Sequence, residues 1–316
     1  MFEGHRLIGI GEILVEFVSH VKNCGLTQIG PFSGPYPSGA PAIFADQAAR
    51  VGAAVTMIGG VGADGFGHTT IARLKQDGVD CSAIKLGGRS TGTAFVSYYD
   101  DGMRDFIFHI SGTAADDFSL PALPEGPLLL HVSAASLGNP VLRNLIMTCA
   151  RQVLDHGGKI ACDPNARPEL MRDDDARHAL QEIMQEAHCL LPSTSDLPYL
   201  FPDLPLEQAI ERLAQRDGLT VLKRGADGAT IFADTRIDLP GYAVTELDPT
   251  GAGDCFCGTF LAELSLGTPI LEAGTRANAA GAIAVTRRGP MEGNSSPEEI
   301  TEFLAQQSRF LEGAKA

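Results

Sequence analysis

The chain has 316 residues, of which 44% are hydrophobic, and a formal net charge of −15. That length and apolar content suit one large α/β domain or two small ones with a sizeable core. The acidic balance argues against a nucleic-acid partner, which wants a basic face, while local basic residues can still hold an anionic small molecule.

The N-terminal stretch MFEGHRLIGIGEILVEF carries Glu3 and Glu12 and no long apolar run. No signal peptide and no membrane span are expected, and the cytoplasm is the expected compartment. RLIGIGEILVEFV (6–18) reads as a strand, and PAIFADQAARVG (41–52) as a helix ended by Gly52. AVTMIGGVG (54–62) reads as a buried strand, and GHTTIARLKQDG (67–78) as a helix ended by Gly78. Residues 90–112 alternate apolar and polar, turn at Asp101-Gly102, and alternate again, which predicts a β-hairpin. Such a hairpin is either an edge addition or a lid over a site, and its aromatic content favours the lid. LLLHVSA, KIACDPN, CLLPS and LTVLKRG follow, each apolar and each ending in a turn, with helical stretches such as VLRNLIMTCARQVLDHGG between them. This β-α rhythm predicts a parallel sheet covered on both faces, with ligands beyond the carboxyl ends of its strands. The seven cysteines are scattered; Cys255 and Cys257 lie two apart, which is not zinc-ligand spacing, so buried free thiols are expected.

Four motifs carry chemistry. In LDPTGAGDCFCGTF (247–260), Gly251-Ala252-Gly253 enter a helix whose apolar face is Phe256, Phe260, Leu261 and Leu264. The unpaired N–H groups of such a helix start make an anion site. Asp254 is then either a helix cap or a catalytic acid-base group. GGVGADGFG contains a G-x-G-x-x-G from Gly60 to Gly65, with Asp80 twenty residues beyond Gly60, which makes an NAD-dependent dehydrogenase the rival enzyme class. CDPNAR and VLKRGADGA place Asn165, Arg167, Lys223 and Arg224 at strand ends, where Arg suits carboxylate or phosphate and Lys acts as a mobile point charge. RANAAGAIAVTRRG (276–289) is a small-residue helix against which a flat group or another backbone can lie.

Together these motifs resemble the PfkB, or ribokinase-like, family of ATP-dependent sugar kinases over nearly the whole chain. DPTGAGDCF is similar to that family's specific C-terminal signature, and PSGAPAIFADQAARVGAAVTMIGGVGADGFG to its N-terminal one. The second includes VGADGFG, which accounts for the dinucleotide-like pattern. It also departs from the family: Ser38-Gly39 stands for Gly-Gly, and Ile43 for an Asn that holds sugar hydroxyls. The resemblance implies a three-layer α/β/α fold with a mostly parallel central sheet, one kinase domain over 1–316. It also implies a small β-lid formed by excursions near 13–36 and 90–112, through which relatives often dimerise. It implies Asp254 as the base and Gly251, Ala252 and Gly253 as the anion hole. The sugar is expected against Glu12, Glu16, Gly39, Ala40 and Asn165. The nucleotide is expected beside Lys223, Gly225 and Gly228, with Asn278, Ala279 and Ala282 flanking adenine. STSD matches a family Asn-x-x-Glu, giving Asp196 as a water-mediated Mg2+ contact, and Asp248 and Thr250 match positions that bind K+ in some relatives.

GEILVEF, DPNARP and VLKRGADGA look nearest the fructokinase and 2-keto-3-deoxygluconate kinase branch, and GPYPSGAPAIF also resembles tagatose kinases. An acid sugar needs a cation. Arg167 suits one, and the deoxygluconate kinases tend to place an Arg on the second lid strand, where FIFHISG offers His109, only partly charged near neutral pH. An uncharged ketohexose is therefore the expected acceptor, and the keto-acid the alternative. Outside the kinases, a dehydrogenase would need a hydride-transfer site, and a non-catalytic sugar or nucleotide sensor would keep the pocket without turnover.

Overall fold

Short runs of Ile, Val, Leu and Cys, too brief for helices, become strands wherever turn residues bound them. The computed structural model describes residues 1–100, 103–167 and 169–313. Its elements begin with β1 (Arg6–Ile10), β2 (Leu14–Ser19), β3 (Phe32–Ser38), α1 (Ala40–Val51), β4 (Val55–Gly62), α2 (Gly65–Gln76) and β5 (Ile84–Gly87). Then come β6 (Gly92–Tyr98), β7 (Arg104–His109), β8 (Leu128–Ser133), α3 (Pro140–Asp155), β9 (Lys159–Asp163), α4 (Asp174–Glu186) and β10 (Cys189–Leu190). The remainder is α5 (Leu197–Leu200), α6 (Leu206–Ala214), β11 (Leu219–Lys223), β12 (Ala229–Phe232), β13 (Arg236–Leu239), α7 (Ala252–Ser265), α8 (Ile270–Ala284) and α9 (Pro297–Gly313).

Nine strands form one sheet in the order β13-β12-β11-β10-β9-β8-β1-β4-β5. The pairs from β11 to β5 are parallel, and β12 and β13 add an antiparallel edge. Strand alternation divides the core. Leu7, Met57, Leu129 and Val221 face one way, into a layer with Phe44 of α1, Phe260 of α7 and Ala277 of α8. Ile8, Ile58, Leu130 and Leu222 face the other way, onto Leu142 and Ile146 of α3, Ile183 of α4 and Leu213 of α6. Residues buried on both faces explain why these strands read as continuous apolar runs.

A second sheet, β3-β2-β6-β7, stands apart from the first. The 90–112 hairpin therefore lies in a separate lid sheet and not on the edge of the main one. Its expected turn at Asp101-Gly102 lies outside the described residues. The single strand expected over 6–18 is in fact two. Gly11, at φ 144°, breaks the run, so β1 stays in the main sheet while β2 crosses to the lid. The dinucleotide-like glycines also have a different purpose. Gly60 and Gly62 lie inside β4, and a Cβ at Gly60 would sit 2.2 Å from the Ala114 carbonyl. A Cβ at Gly62 would meet the Arg89 carbonyl at 2.6 Å, and Asp64 caps α2 through Gly67 N and also accepts from Thr91. These glycines let the root of the lid pack on β4, and they form no phosphate cradle. All seven cysteines are free, six of them buried and Cys81 half-buried. No described helix is long and apolar enough to cross a membrane.

Candidate active site

A cavity of about 670 Å³ opens between the carboxyl ends of the parallel strands and the lid. β1 leads into it at Glu12, β9 at Asp163 and β11 at Lys223, and the start of α7 closes one end. This is where a ligand is expected in an open parallel sheet.

The α7 end is shaped for an anion. Gly251 caps the helix at φ 81°, and a Cβ there would lie 2.3 Å from the Pro290 carbonyl, so no other residue fits without movement. The next N–H groups begin a fourteen-residue helix, where the first turn lacks intrahelical acceptors; Ala252 N makes only a long contact, 3.4 Å, to the Pro249 carbonyl. Asp254 sits in that first turn, 8% exposed, and its Oδ1 has no hydrogen-bond partner. Burial and the nearby Asp163 push its pKa up to about 7, against the pull of Lys223 and Arg167. Beneath it Lys223 donates to Asp163 Oδ2 at 2.5 Å and reaches Cys257 Sγ at 3.4 Å. Burial works to discharge Lys223, but Asp163 outweighs it and holds the ammonium charged.

On the lid side, Glu12 accepts from Ser136 Oγ at 2.5 Å, and burial raises its pKa to about 7. Glu16 of β2 is pushed to about 8 by burial and Asp248; Ser38 Oγ donates weakly to its Oε2 at 3.4 Å, and its Oε1 has no partner. Asn165, held at φ 36°, donates through Nδ2 to Ser133 at 3.0 Å. Ile43 brings an apolar side chain to the same wall.

The opposite end of the cavity is lined by small residues: Gly225, Ala226, Gly228, Gly241, Gly281 and Ala282. Asn278 lines it too, with its amide donated to the Pro240 carbonyl at 2.7 Å. A flat group fits this surface because few side chains project from it. Asp196 accepts from Ala166 N at 2.8 Å, Ser193 N at 2.6 Å and Ser193 Oγ at 2.7 Å. Three donors leave a carboxylate room for one more, which suits a single water-mediated contact to Mg2+ and not direct ligation. Among the described residues no group of three or more His, Cys, Asp or Glu is placed to hold a metal. Mg2+ arriving with a nucleotide needs no such cage, since phosphates and water complete its shell. The Asp248–Thr250 pair is less accommodating. Asp248 Oδ1 accepts from Tyr98 OH and Thr250 N, and Oδ2 from Gly289 N, so protein donors take three of its acceptor positions and leave one at the expected K+ site.

Residues 7–297 match the family model described as pfkB family carbohydrate kinase. The chain belongs to the pfkB family of carbohydrate kinases. Members of this kind are ATP-dependent sugar kinases, and the three-layer sheet with its lid is the ribokinase-like fold. Fructokinase-2 of Zea mays is 30% identical over 90% of this chain and 89% of its own. An E. coli protein provisionally named ribokinase II, solved with ATP and Mg2+, is 39% identical, covers 96% of this chain and 99% of its own, and superposes at a TM-score of 0.87. Fructokinase of Vibrio cholerae O395, solved with fructose, ADP and calcium, is 27% identical over 95% of this chain and 99% of its own, at a TM-score of 0.84.

Within this pfkB kinase, one cavity gathers Glu12, Glu16, Gly39, Ala40, Asn165, Arg167, Asp196, Lys223, Gly225, Gly228, Thr250, Gly251, Ala252, Gly253, Asp254, Asn278 and Ala282. Three residues singled out in the sequence stand elsewhere. Asp248 is buried behind the cavity wall, and Ala279 is buried in the core beside α7. His109 pairs with Thr93, so it lies on the lid face opposite Phe106 and Phe108, which pair with Val96 and Ala94 and line the cavity. The same register brings Arg104, which the sequence reading passed over, onto the cavity face. Its guanidinium lies 5.7 Å from the Phe106 ring, and burial and Arg167 lower its pKa. No ion pair to Arg104 or Arg167 within 4.0 Å occurs among the described residues, and Arg167 donates only to the carbonyl of Ala166, at 3.2 Å.

Proposed function

We propose that this kinase transfers the γ-phosphoryl group of ATP to a hydroxyl of a ketohexose, with Asp254 as the general base. The observation that carries the reading is the buried carboxylate oxygen of Asp254, without a hydrogen-bond partner among the described residues, beside the first amides of α7. The acceptor oxygen forms a bond to the γ-phosphorus while its proton passes to Asp254 Oδ1. The bond from phosphorus to the bridging oxygen breaks, and the electron pair leaves with ADP. The Ala252 and Gly253 amides and the charge of Lys223 stabilise the transferring phosphoryl group. Asp196 would hold Mg2+ through one of its waters, and the ion, when bound with ATP, would supply neutralisation of phosphate charge. Glu12, Glu16 and Asn165 orient the sugar hydroxyls. The relatives named fructokinase support a ketohexose acceptor. Asp254→Asn keeps the shape and removes the base. It is expected to bind ATP normally and lose ~10²–10⁴ in kcat; near-normal turnover would sink the assignment.

A second reading of the acceptor has its own support. Arg104 and Arg167 bring to the lid side of the cavity two guanidinium groups that pair with no carboxylate among the described residues, which favours an acid sugar such as 2-keto-3-deoxygluconate. Arg104 stands on the second strand of the lid hairpin, where the 2-keto-3-deoxygluconate kinases tend to carry an arginine. A coupled ADP-release assay over fructose, tagatose and 2-keto-3-deoxygluconate decides between the two. For assembly, Phe32 and Ile107 are exposed on the lid strands, and we assign the lid as the contact of a homodimer, testable by light scattering of an Ile107→Glu variant. Seven free thiols suit a reducing compartment, which supports the cytoplasm.

A further inference from the structure

The strongest unassigned feature is a contact joining residues 150 positions apart. Tyr98 is the last residue of β6 and pairs with Arg104, on the face that Phe106 and Phe108 turn to the cavity. Its hydroxyl donates to Asp248 Oδ1 and lies 2.7 Å from Thr250 Oγ1. Asp248 in turn accepts from Thr250 N at 3.0 Å and Gly289 N at 2.9 Å. Gly289 packs on the lid as well, since a Cβ there would lie 2.7 Å from the Tyr36 ring of β3. The next residue, Pro290, supplies the carbonyl against which Gly251 is set. The path thus runs from the tip of the lid, through one buried carboxylate, to the residues that open α7.

We propose that Tyr98 is a positioning residue, whose hydroxyl ties the lid tip to the Asp248–Gly253 segment and so holds the phosphoryl pocket in register with the acceptor side. The assignment takes its catalytic meaning from the kinase reading above. Several observations separate it from general lid packing. The root of the hairpin is fixed independently, by Thr91 donating to Asp64 through N at 2.8 Å and Oγ1 at 2.7 Å. Near the tip, Lys22 and Asn23 bond Asp100, which keeps that contact inside the lid region. The Tyr98 hydroxyl instead leaves the lid and reaches the segment before α7. Asp248 faces that hydroxyl and accepts its hydrogen bond. Glu16 and Arg104 also face it electrostatically, and neither forms a hydrogen bond with it among the described residues.

The test is Tyr98→Phe in the full chain, read in two ways. Hydrogen exchange of the 247–254 amides in the ligand-free protein is expected to accelerate about tenfold, with β8 and α3 unchanged, because a hydrogen bond to a carboxylate is lost. Steady-state kinetics with the best of fructose, tagatose and 2-keto-3-deoxygluconate is expected to show kcat reduced about tenfold and the KM for ATP within twofold. The double variant Tyr98→Phe/Thr250→Val is expected to be no slower than the slower single variant, since the two hydroxyls act through one contact. Unchanged exchange over 247–254, multiplicative kinetic losses, or a fall in kcat that tracks a global drop in Tm would each overturn the proposal. If no sugar is phosphorylated by the wild-type chain, the kinase reading fails on its own, and the exchange measurement still decides whether the latch exists.

Discussion

The two ends of the cavity are built on different plans. The end proposed for the nucleotide is made of backbone: Gly225, Gly228, Gly241 and Gly281 expose a smooth surface on and beside the main sheet, and α7 contributes amides. The end proposed for the acceptor is made of side chains drawn from distant segments, namely Glu12, Glu16, Arg104 and Arg167, all of them carried by the lid or by loops. A surface of glycines must be encoded by glycines, because any Cβ would intrude. A surface of side chains can be changed one residue at a time without disturbing the sheet. The shared chemistry is therefore fixed at one end, and the choice of sugar is left to the other.

That division can be broken at several points, and the largest effect belongs to the junction. Asp254→Asn should separate the two ends by leaving nucleotide affinity intact while kcat falls ~10²–10⁴. Unchanged binding of ATP by calorimetry is the required companion result. Gly251→Ala should be next in size, because it forces a Cβ against the Pro290 carbonyl at φ 81°. Roughly 2 kcal/mol or more of stability should be lost together with most turnover, and thermal unfolding measures the first. Arg104→Gln sharpens the acceptor end. It should raise the KM for 2-keto-3-deoxygluconate about 10- to 100-fold and leave that for fructose nearly unchanged; an equal effect on both would mean Arg104 does not read the carboxylate.

The smallest effects are those of pH. Asp254 must be ionised to accept a proton, so kcat/KM should rise as pH passes about 7 and level above it. The same shift has a consequence for stability. A carboxyl whose folded pKa is raised holds a proton that the unfolded chain releases, so stability falls as pH climbs from the ordinary carboxylate range to the folded value. Glu12, Glu16, Asp46 and Asp254 are all raised mainly by burial, to between about 7 and about 8. The free enzyme should thus melt at lower temperature at pH 8 than at pH 6. Asp254→Asn, which has no carboxyl to ionise, should recover stability at both, by about 1 kcal/mol more at pH 8 than at pH 6.

The contrast between the two ends also explains what the sequence disclosed. Gly251 enters a helix start, where the pattern itself points to an anion site, whereas Gly225 and Gly228 are legible only through the resemblance of VLKRGADG to the family. The apolar runs disclosed the main sheet through local pattern, as at Gly251. The lid was legible as a hairpin, but alternation tells only which residues share a face, not which face turns inward. His109 was chosen and Arg104 missed because that orientation is set by the pairing of β6 with β2, far away in sequence, and not within the hairpin itself. Likewise the Gly11 break within 6–18 is invisible as hydrophobic pattern, since both halves are apolar, and shows only as a φ that glycine alone adopts with ease.

One last consequence concerns Lys223. In sequence it is a flexible cation at a strand end, free to swing after a phosphate. In the structure its ammonium is pinned between Asp163 and Cys257, under the helix start. Moving it would strip a buried carboxylate of its counter-ion, so it acts from a fixed point. As charge migrates from the acceptor toward ADP, the field that receives it is already oriented, and the reorganisation that water would require has been completed by folding.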